Sequence, residues 1–401
     1  MELGRRFGMD VGVVEYFSAS APHLDAELLL EGYAMLESAI KDFIALGAPV
    51  KTILNRRLKI EFTSAEAVWC SDEGDFKRKL ASLSKSVDYL LLIAPEHILP
   101  TLLEGLDSVK LLNSTPASIR EVSDKCRLTK KLAQIGLDVP ESRCFDAGVD
   151  AEALKSASKE IGYPVVVKPT MGAGCEGLSV VYGEEGLEAA YVKACRSDPN
   201  GSVIIQKWYE GVPASVSLIV SEHNIQPLSL NRQIIKIGTP RENSAYLGGV
   251  VPLPHNLSKE ALTAASEAVA AFNGLRGYVG IDLVLTDRKP IVLEINPRLT
   301  VSYLGLSRVL EGGVARMMVD EAYMKTKPKP VFKGFAIFIK ASLPTCSKVE
   351  GAEVIRTPLK ESERCFILVQ DVSYEAALRR LRGVVSHCFA KVSVNLADLG
   401  A

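Results

Sequence analysis

The 401-residue sequence lacks the features that mark a membrane, secreted or nucleic-acid-binding protein. Its longest apolar runs, such as residues 89–95, are far shorter than the roughly 20 residues that a membrane-spanning helix needs. The start of the chain has two arginines but no apolar segment behind them, so we expect no export signal and a cytoplasmic location. The formal net charge is only -1, so we expect no nucleic-acid or membrane partner. Small-molecule substrates are the expected partners.

Metal-binding cysteines and two common nucleotide-binding motifs are also absent. Eight cysteines occur without a C-x-x-C pair or a nearby cysteine–histidine cluster, so we expect reduced thiols and no zinc site. His97 and His255 lie beside prolines without metal-ligand spacing, and we interpret both as structural. No G-x-G-x-x-G follows the first predicted strand, and no Gly-Lys-Ser/Thr follows the glycines near residue 174. The dinucleotide fingerprint and the Walker A loop are therefore excluded.

The order of predicted elements indicates a fold that combines α/β and α+β parts. Strand and helix patterns alternate over about the first hundred residues, which predicts a parallel sheet. A new pattern of helices, strands and a glycine-rich loop begins at residue 151, and a Lys/Pro segment at 326–330 predicts an extended linker. The predicted domains are an N-terminal α/β domain at 1–112, a central domain at 113–325 and a small C-terminal α+β lobe at 331–401.

Polar residues end one predicted strand and face another strand across a short turn. If the hairpin formed by residues 277–299 centres near Arg288, Asp282 lies opposite Glu294. Alternation places Asn296 on the same face as Glu294. Three oxygen-bearing groups then converge, which suits Mg²⁺ in a site completed by substrate phosphates. A strand-end turn with solvated polar groups fits the same spacing, because Asn-Pro is common in turns.

A lysine that we expect to be buried precedes a glycine-rich loop. Lys168 follows three valines, so its ammonium group needs an anionic or hydrogen-bonding partner. Gly172, Gly174 and Gly177 let the N–H groups of the loop approach a ligand, with Ser179 close behind, and phosphate is the predicted guest. A plain hairpin turn between two strands is the alternative.

Two further segments carry candidate binding residues. Residues 202–211 run from a strand into a polar and aromatic loop that can meet an adenine edge, although Trp208 is equally interpretable as core. Residues 231–252 are dense in polar groups, and long loops are uncommon unless they bind or close on something. The candidates there for substrate or γ-phosphate contacts are Asn231, Gln233, Lys236 and Arg241, with Gly248 and Gly249 allowing close approach. A solvated surface loop is the alternative, chiefly for Arg241.

Six short motifs occur in the order found in ATP-grasp enzymes. They are Asp124-Lys125, VVKP at 166–169, the glycine-rich loop, IIQKW at 204–208, GIDLVL at 280–285 and EINPR at 294–298. The chain resembles this family over about residues 113–310, and the preceding segment resembles its pre-ATP-grasp domain. The resemblance implies an ATP-grasp fold whose two lobes clamp ATP, with Mg²⁺ as cofactor, Mn²⁺ able to substitute, and homodimerisation as a family habit.

The resemblance also implies roles for individual residues. Arg298 and Lys236 would be catalytic, and Asp282, Glu294 and Asn296 would hold the metal ion. The nucleotide would contact Lys125, Lys168, Gly172, Gly174, Gly177, Ser179, Gln206, Lys207, Trp208, Tyr209 and Glu210. Pro213 stands where many relatives carry a glutamate, so the ribose contact falls to Glu210 as a candidate.

The implied chemistry is ATP-dependent ligation of a carboxylate to an amine through an acyl phosphate, with release of ADP and phosphate. Within the family, residues 15–16, 31–43, 215–220 and 228–237 resemble the archaeal-type tyramine–L-glutamate ligases of methanofuran biosynthesis. That subgroup implies that the γ-carboxyl group of glutamate is joined to tyramine. Two alternatives stay open at this point: a ligase for another pair of amino acid and amine, and an ATP-binding protein without turnover.

Overall fold

The computed structural model describes residues 8–20, 26–58, 65–106, 108–172, 174–344, 349–359, 362–388, 390–396 and 399. Three sequence-based interpretations touch residues outside these ranges. They concern the start of the chain, where an export signal would lie, Cys346 among the cysteines, and Ala173 within the glycine-rich loop.

The N-terminal segment forms a five-stranded parallel sheet, as the alternating pattern predicted. Its strands are β1 (Val11–Glu15), β2 (Val50–Asn55), β3 (Glu66–Cys70), β4 (Tyr89–Ile93) and β5 (Lys110–Leu111), in the spatial order β3-β2-β1-β4-β5. The helices are α1 (Tyr16–Ser20), α2 (Ala26–Ala45), α3 (Glu73–Leu83) and α4 (Leu99–Leu103), with a 3₁₀ turn at Arg56–Leu58. Every residue of β1 is buried, which is typical of a parallel sheet covered on both faces.

The first strand, β1, ends at Glu15, although the apolar residues Tyr16 and Phe17 follow it directly. Tyr16 and Phe17 belong to α1, because the buried Glu15 carboxylate accepts hydrogen bonds from the N–H groups of Phe17 (3.0 Å) and Ser18 (2.8 Å). Side-chain acceptors of this kind satisfy the unpaired N–H groups at a helix start. Burial raises the pKa of Glu15 to about 7, against the opposing effect of these hydrogen bonds.

We expect the free energy of unfolding to fall by about 3 kcal/mol between pH 4.5 and 7 on account of Glu15. Its folded-state pKa lies above its unfolded value, so the native state binds the extra proton in this window and loses that stabilisation as the pH rises. Urea unfolding at pH 4.5 and pH 7 measures the effect. Glu15→Gln should flatten the difference, whereas Glu66→Gln at an exposed position of β3 should retain it. If the free energy of unfolding changed with pH by the same amount in both variants, the effect could not be assigned to Glu15.

The middle of the chain forms a small antiparallel sheet. Its strands are β6 (Ser142–Phe145), β7 (Val165–Pro169), β8 (Ser179–Val181) and β9 (Val203–Lys207), in the order β6-β9-β7-β8. The associated helices are α5 (Pro116–Ser123), α6 (Lys125–Gln134), α7 (Ala151–Ile161) and α8 (Leu187–Ser197), with a 3₁₀ turn at Glu184–Gly186. The Asp124 carboxylate caps α6 by accepting the N–H groups of Cys126 and Arg127, which determines where Lys125 begins the helix.

The remaining strands form one large antiparallel sheet. They are β10 (Val212–Val220), β11 (Ile225–Lys236), β12 (Ala245–Val251), β13 (Gly277–Leu285), β14 (Pro290–Asn296), β15 (Phe335–Ser342), β16 (Glu353–Arg356), β17 (Arg364–Asp371) and β18 (Lys391–Val392). Their order is β14-β13-β10-β11-β12-β15-β17-β16, with β18 paired to β15. The helices are α9 (Ser258–Ala270), α10 (Tyr303–Val309), α11 (Val314–Val319), α12 (Glu321–Lys325) and α13 (Tyr374–His387). Among the described residues, no helix is long and apolar enough to cross a membrane.

The strands that follow the Lys/Pro segment join this large sheet through the pairing of β12 with β15. Gly248 makes the pairing possible, because a Cβ atom there would collide with the carbonyl oxygen of Phe338. We had expected Gly248 to approach a ligand, and the structure shows that it approaches a neighbouring strand instead. The predicted domain boundaries stay predictions.

Helix α2 connects the parallel sheet to the large sheet. Phe43 and Tyr303 are fully buried in the core that the two sheets share. The Asp42 carboxylate accepts a hydrogen bond from the Tyr303 hydroxyl (2.7 Å) and from the N–H groups of Val314 (3.0 Å) and Ala315 (2.9 Å). This packing places α2 beside the large sheet. Residues of α2 also line the cavities described below.

One expectation about cysteine was wrong. The structure joins Cys126, at the start of α6, to Cys144 of β6 in a disulfide with a Cα–Cα distance of 6.2 Å, where we had expected reduced thiols. The free cysteines among the described residues are Cys70, Cys175, Cys195, Cys365 and Cys388. A spacing of 18 residues does not indicate a pair, because only the packing of α6 beside β6 brings the two sulfur atoms together.

Candidate active site

A cavity of about 460 Å³ lies between the small sheet and the large sheet. We call it the first cavity. Its polar lining includes Lys125, Lys168, Gln206, Lys207, Gln233, Asp282, Glu294, Asn296 and Arg298, and its apolar lining includes Val166, Leu178, Val180, Ile235, Leu283 and Leu293. Most of the residues predicted from the sequence as a site therefore meet in one place.

The predicted hairpin register is confirmed. Asp282 of β13 pairs with Glu294 of β14, and a bulge follows Asp282. We call these two residues the acid pair. Two amides hold Asp282: Gln233 Nε2 donates to its Oδ1 at 2.9 Å, and Asn296 Nδ2 donates to its Oδ2 at 3.1 Å. The Asn296 nitrogen faces the carboxylate in this arrangement.

The acid pair carries an uneven charge. Burial and the neighbouring Glu294 raise the pKa of Asp282 to about 8. Burial opposes ionisation of Glu294 as well, but Lys125 and Lys168 outweigh it and lower the pKa of Glu294 to about 2. Because two opposed carboxylates cannot both ionise easily, the pair holds a proton that a divalent cation would replace. Two carboxylates and an amide are a suitable donor set for Mg²⁺, which takes its remaining ligands from phosphate and water. Among the described residues, no group of three or more His, Cys, Asp or Glu side chains could hold a metal ion.

Two lysines face the acid pair from other elements. Lys125 Nζ lies 3.6 Å and Lys168 Nζ 3.9 Å from Glu294 Oε2. Lys168 is only 6% exposed, and burial lowers the pKa of its ammonium group. Lys125 Nζ also donates to the carbonyl oxygen of Gly172 at 3.1 Å. The two ammonium groups therefore place positive charge beside the start of the glycine-rich loop.

The glycine-rich loop contributes only part of what the sequence predicted. Gly172, Gly174 and Cys175 have positive φ values of 147°, 71° and 64° and line the first cavity. Gly177 does not line the first cavity. It packs closely on Ser197, so that a Cβ atom at this position would lie 2.8 Å from the Ser197 Cβ. Ser179 is buried in β8 and accepts a hydrogen bond from Lys193 at 3.3 Å.

The end of β9 contributes a charged residue and two aromatic residues to the lining of the first cavity. Lys207, Trp208 and Tyr209 line it, and Trp208 is half-buried there rather than part of the core. The Gln206 side chain is buried and donates to Ser142 Oγ at 3.0 Å, so it links β9 to β6. Glu210 is not among the lining residues, and it accepts a hydrogen bond from Trp208 Nε1 at 2.9 Å.

Three candidates from the polar segment 231–252 do not line the first cavity. Lys236 is exposed at the end of β11, because alternation along the strand turns it away from the face that carries Gln233 and Ile235. Asn231 is buried and bonded to serine hydroxyls, including that of Ser217 at 2.9 Å. Arg241 lines a second cavity.

Glu96 is a site residue that the sequence did not reveal. It follows β4 in the parallel sheet, and its Oε1 lies 2.8 Å from Arg298 Nε with both side chains nearly buried. Burial opposes the charge on Arg298, but Glu96 outweighs it and raises the pKa of the guanidinium further. The only available signal was the position of Glu96 at the carboxyl end of a buried strand, where ligand sites of α/β sheets commonly lie.

Comparison with protein families matches two parts of the chain to known domains. Residues 122–302 match the ATP-grasp domain, and residues 49–119 match the pre ATP-grasp 3 domain. The chain therefore contains an ATP-grasp domain preceded by a pre-ATP-grasp domain. The first cavity, with its acid pair and lysines, lies within the matched ATP-grasp region except for its contacts to α2.

Curated relatives agree with this assignment. The tyramine–L-glutamate ligase of Methanocaldococcus jannaschii is 28% identical over 286 residues, which cover 70% of this chain and 80% of the relative. The enzyme of the same name from Methanocaldococcus fervens is 29% identical over 307 residues, covering 74% and 89%. These relatives confirm the predicted class, an ATP-grasp ligase that forms a carbon–nitrogen bond.

A solved structure supports the fold. The biotin carboxylase domain of 2-oxoglutarate carboxylase from Hydrogenobacter thermophilus, a dimer in complex with MgADP, superposes with a TM-score of 0.70. The match covers 96% of this chain and 91% of that one at 15% identity. The predicted ATP-grasp fold is therefore confirmed.

Proposed function

We propose that this ATP-grasp ligase joins the γ-carboxyl group of L-glutamate to the amine of tyramine, with ATP converted to ADP and phosphate. The observation that carries the proposal is the acid pair opposed by two buried lysines, in a cavity whose lining also includes apolar and aromatic residues. The choice of substrates is supported by the two relatives described above, which are tyramine–L-glutamate ligases.

The site residues have distinct proposed roles in nucleotide binding. Lys125 and Lys168 would neutralise the phosphates, and the loop around Gly172 and Gly174 would cover them. The backbone at residues 207–209 would meet the adenine edge. Asp282, Glu294 and Asn296 would hold Mg²⁺ or Mn²⁺, and the bound cation would offset charge on the transferred phosphoryl group. Lys236, Gly177, Ser179 and Glu210 have no place in this proposal.

The chemistry requires two substitutions. In the first, an oxygen of the substrate carboxylate attacks the γ-phosphorus of ATP, and the bond from that phosphorus to the bridging oxygen breaks to release ADP. In the second, the amine nitrogen attacks the acyl carbon, the bond from that carbon to the phosphate oxygen breaks, and the nitrogen loses a proton. Arg298, oriented by Glu96, would stabilise charge on the phosphoryl group in both steps.

A substrate panel tests the proposal. Purified protein with ATP and Mg²⁺ should release ADP and phosphate and form γ-glutamyl-tyramine in equal amounts, as measured by a coupled assay and mass spectrometry. Other amino acids and amines serve as controls. Turnover with a different pair, and none with tyramine, would overturn the assigned substrates but keep the ligase chemistry. Absence of turnover with every pair would favour a nucleotide-binding protein.

A homodimer is a further proposal, supported by the dimeric structure of the Hydrogenobacter relative. Light scattering at micromolar concentration should give about twice the mass of 43.4 kDa for one chain. The mass of a single chain would contradict it.

A further inference from the structure

A second cavity of about 1440 Å³ adjoins the first cavity. The two share a wall made of Glu31, Gly174, Cys175, Glu176 and Tyr246. The Cys175 thiol is affected by charges from both sides, since burial, then Glu294 and then Glu31, raise its pKa to about 12. ATP is large enough to occupy most of a 460 Å³ cavity, so the second cavity offers room for another substrate of the proposed reaction.

The second cavity has charges of both signs close to the shared wall. Glu27 and Glu31 lie one turn apart on α2, and Lys340 of β15 lies between them. Lys340 Nζ is 2.7 Å from Glu27 Oε2 and 2.6 Å from Glu31 Oε1, and Arg364 of β17 also contacts Glu27. Adjacent acidic and basic groups of this kind are complementary to a small zwitterion.

The Tyr246 hydroxyl is an independent indication that a ligand binds here. Tyr246 lines both cavities and is 9% exposed, and its hydroxyl has no hydrogen-bond partner among the described residues. An unsatisfied buried hydroxyl destabilises the folded protein, and a ligand that accepts its hydrogen bond would remove that cost. Burial, followed by Glu31 and Asp282, raises the pKa of Tyr246 well above its usual value, so the hydroxyl stays a neutral donor. A carboxylate that passes from the second cavity to the first would accept this hydrogen bond.

We propose that the second cavity binds the amino-acid substrate as a zwitterion. Its ammonium group would lie on Glu31 and Glu27, its α-carboxylate on Lys340 and Arg364, and its side-chain carboxylate beside Tyr246, directed toward the acid pair. Each charge of the ligand then replaces one half of an existing ion pair, so no charge is left buried and unpaired. The arrangement explains why the side-chain carboxylate, rather than the α-carboxylate, would be phosphorylated. This inference rests on the proposed ligase function.

Kinetic constants of single variants test the inference. Glu31→Gln and Lys340→Met should raise the KM for L-glutamate about 10- to 100-fold, the loss expected for a charged hydrogen bond, and leave the KM for ATP within about twofold. Tyr246→Phe should lower kcat/KM for the amino acid. Lys41→Met is the matched control, because Lys41 of α2 also pairs with a C-terminal strand, through Glu353 of β16 (3.0 Å), but lines neither cavity.

A comparison of two acids separates ligand contact from a structural role. Wild-type protein should prefer L-glutamate to glutarate, which lacks the ammonium group, and Glu31→Gln should lose most of this preference while its Tm stays close to that of wild type. An unchanged preference, or equal rises in both KM values, would overturn the inference even if wild-type protein is an active ligase. If wild-type protein has no turnover, the proposed function fails. The inference about the second cavity is then tested separately, by titration calorimetry of L-glutamate in the presence of a non-hydrolysable ATP analogue. In that experiment, binding that weakens in Glu31→Gln supports the second cavity as the site, and no binding refutes it.

Discussion

Replacing Glu294 with glutamine is expected to lower turnover by about a thousandfold or more while leaving the fold intact. Glu294 is the member of the acid pair that stays ionised, and both buried lysines lie within 4 Å of it at 3.6 and 3.9 Å. Glutamine keeps the shape of the side chain but removes the charge that would hold the metal ion against the phosphates. Phosphate release at saturating ATP and Mg²⁺ measures the effect.

A matched variant separates this effect from a general loss of charge. Glu267→Gln changes an exposed glutamate on α9, and its turnover should equal that of wild type. Thermal unfolding of both variants shows whether they are folded. Phosphate release by a folded Glu294→Gln variant at the wild-type rate would show that the acid pair does not hold the metal ion.

Replacing Lys168 with methionine is expected to reduce kcat/KM for ATP by about a hundredfold or more. The ammonium group is nearly buried, and burial is tolerated only because Glu294 and, in the proposed complex, a phosphate offset its charge. Methionine has nearly the same length and no charge, so it removes the interaction without a large cavity. Steady-state kinetics with varied ATP measure the loss.

A double-variant cycle tests whether Lys168 and Glu294 act together. If both serve the same phosphate and metal ion, the combined variant should lose less activity than the sum of the two single losses in free energy. Lys155→Met, which changes a partly exposed lysine on α7 that lines neither cavity, is the control and should have no effect. Additive losses would indicate that the two residues act separately.

Local patterns were sufficient for the hairpin that carries the acid pair. A short turn between two strands determines their register, so the pairing of Asp282 with Glu294 followed from counting residues outward from Arg288. The burial of Lys168 followed in the same way from three preceding valines. Alternation along β11 also indicates that Lys236 faces away from Gln233, and the sequence-based assignment of Lys236 did not take this into account.

Other parts of the site depend on contacts between distant segments. The ion pair of Glu96 with Arg298 joins residues from the parallel and the large sheet, and the disulfide joins α6 to β6. The second cavity combines α2, the glycine-rich loop and two C-terminal strands. No local motif in any of these segments predicts its contacts with the others.

The sequence by itself determined the class of fold, the hairpin register and most of the polar residues that line the first cavity, because strand alternation, turn length and buried lysines are local properties of the chain. Only the tertiary structure decided which charges become partners and where the cavities lie. The physical reason is that ion pairing, desolvation and enclosed volume depend on distances between segments far apart in the chain, and those distances exist only after the sheets have packed around α2.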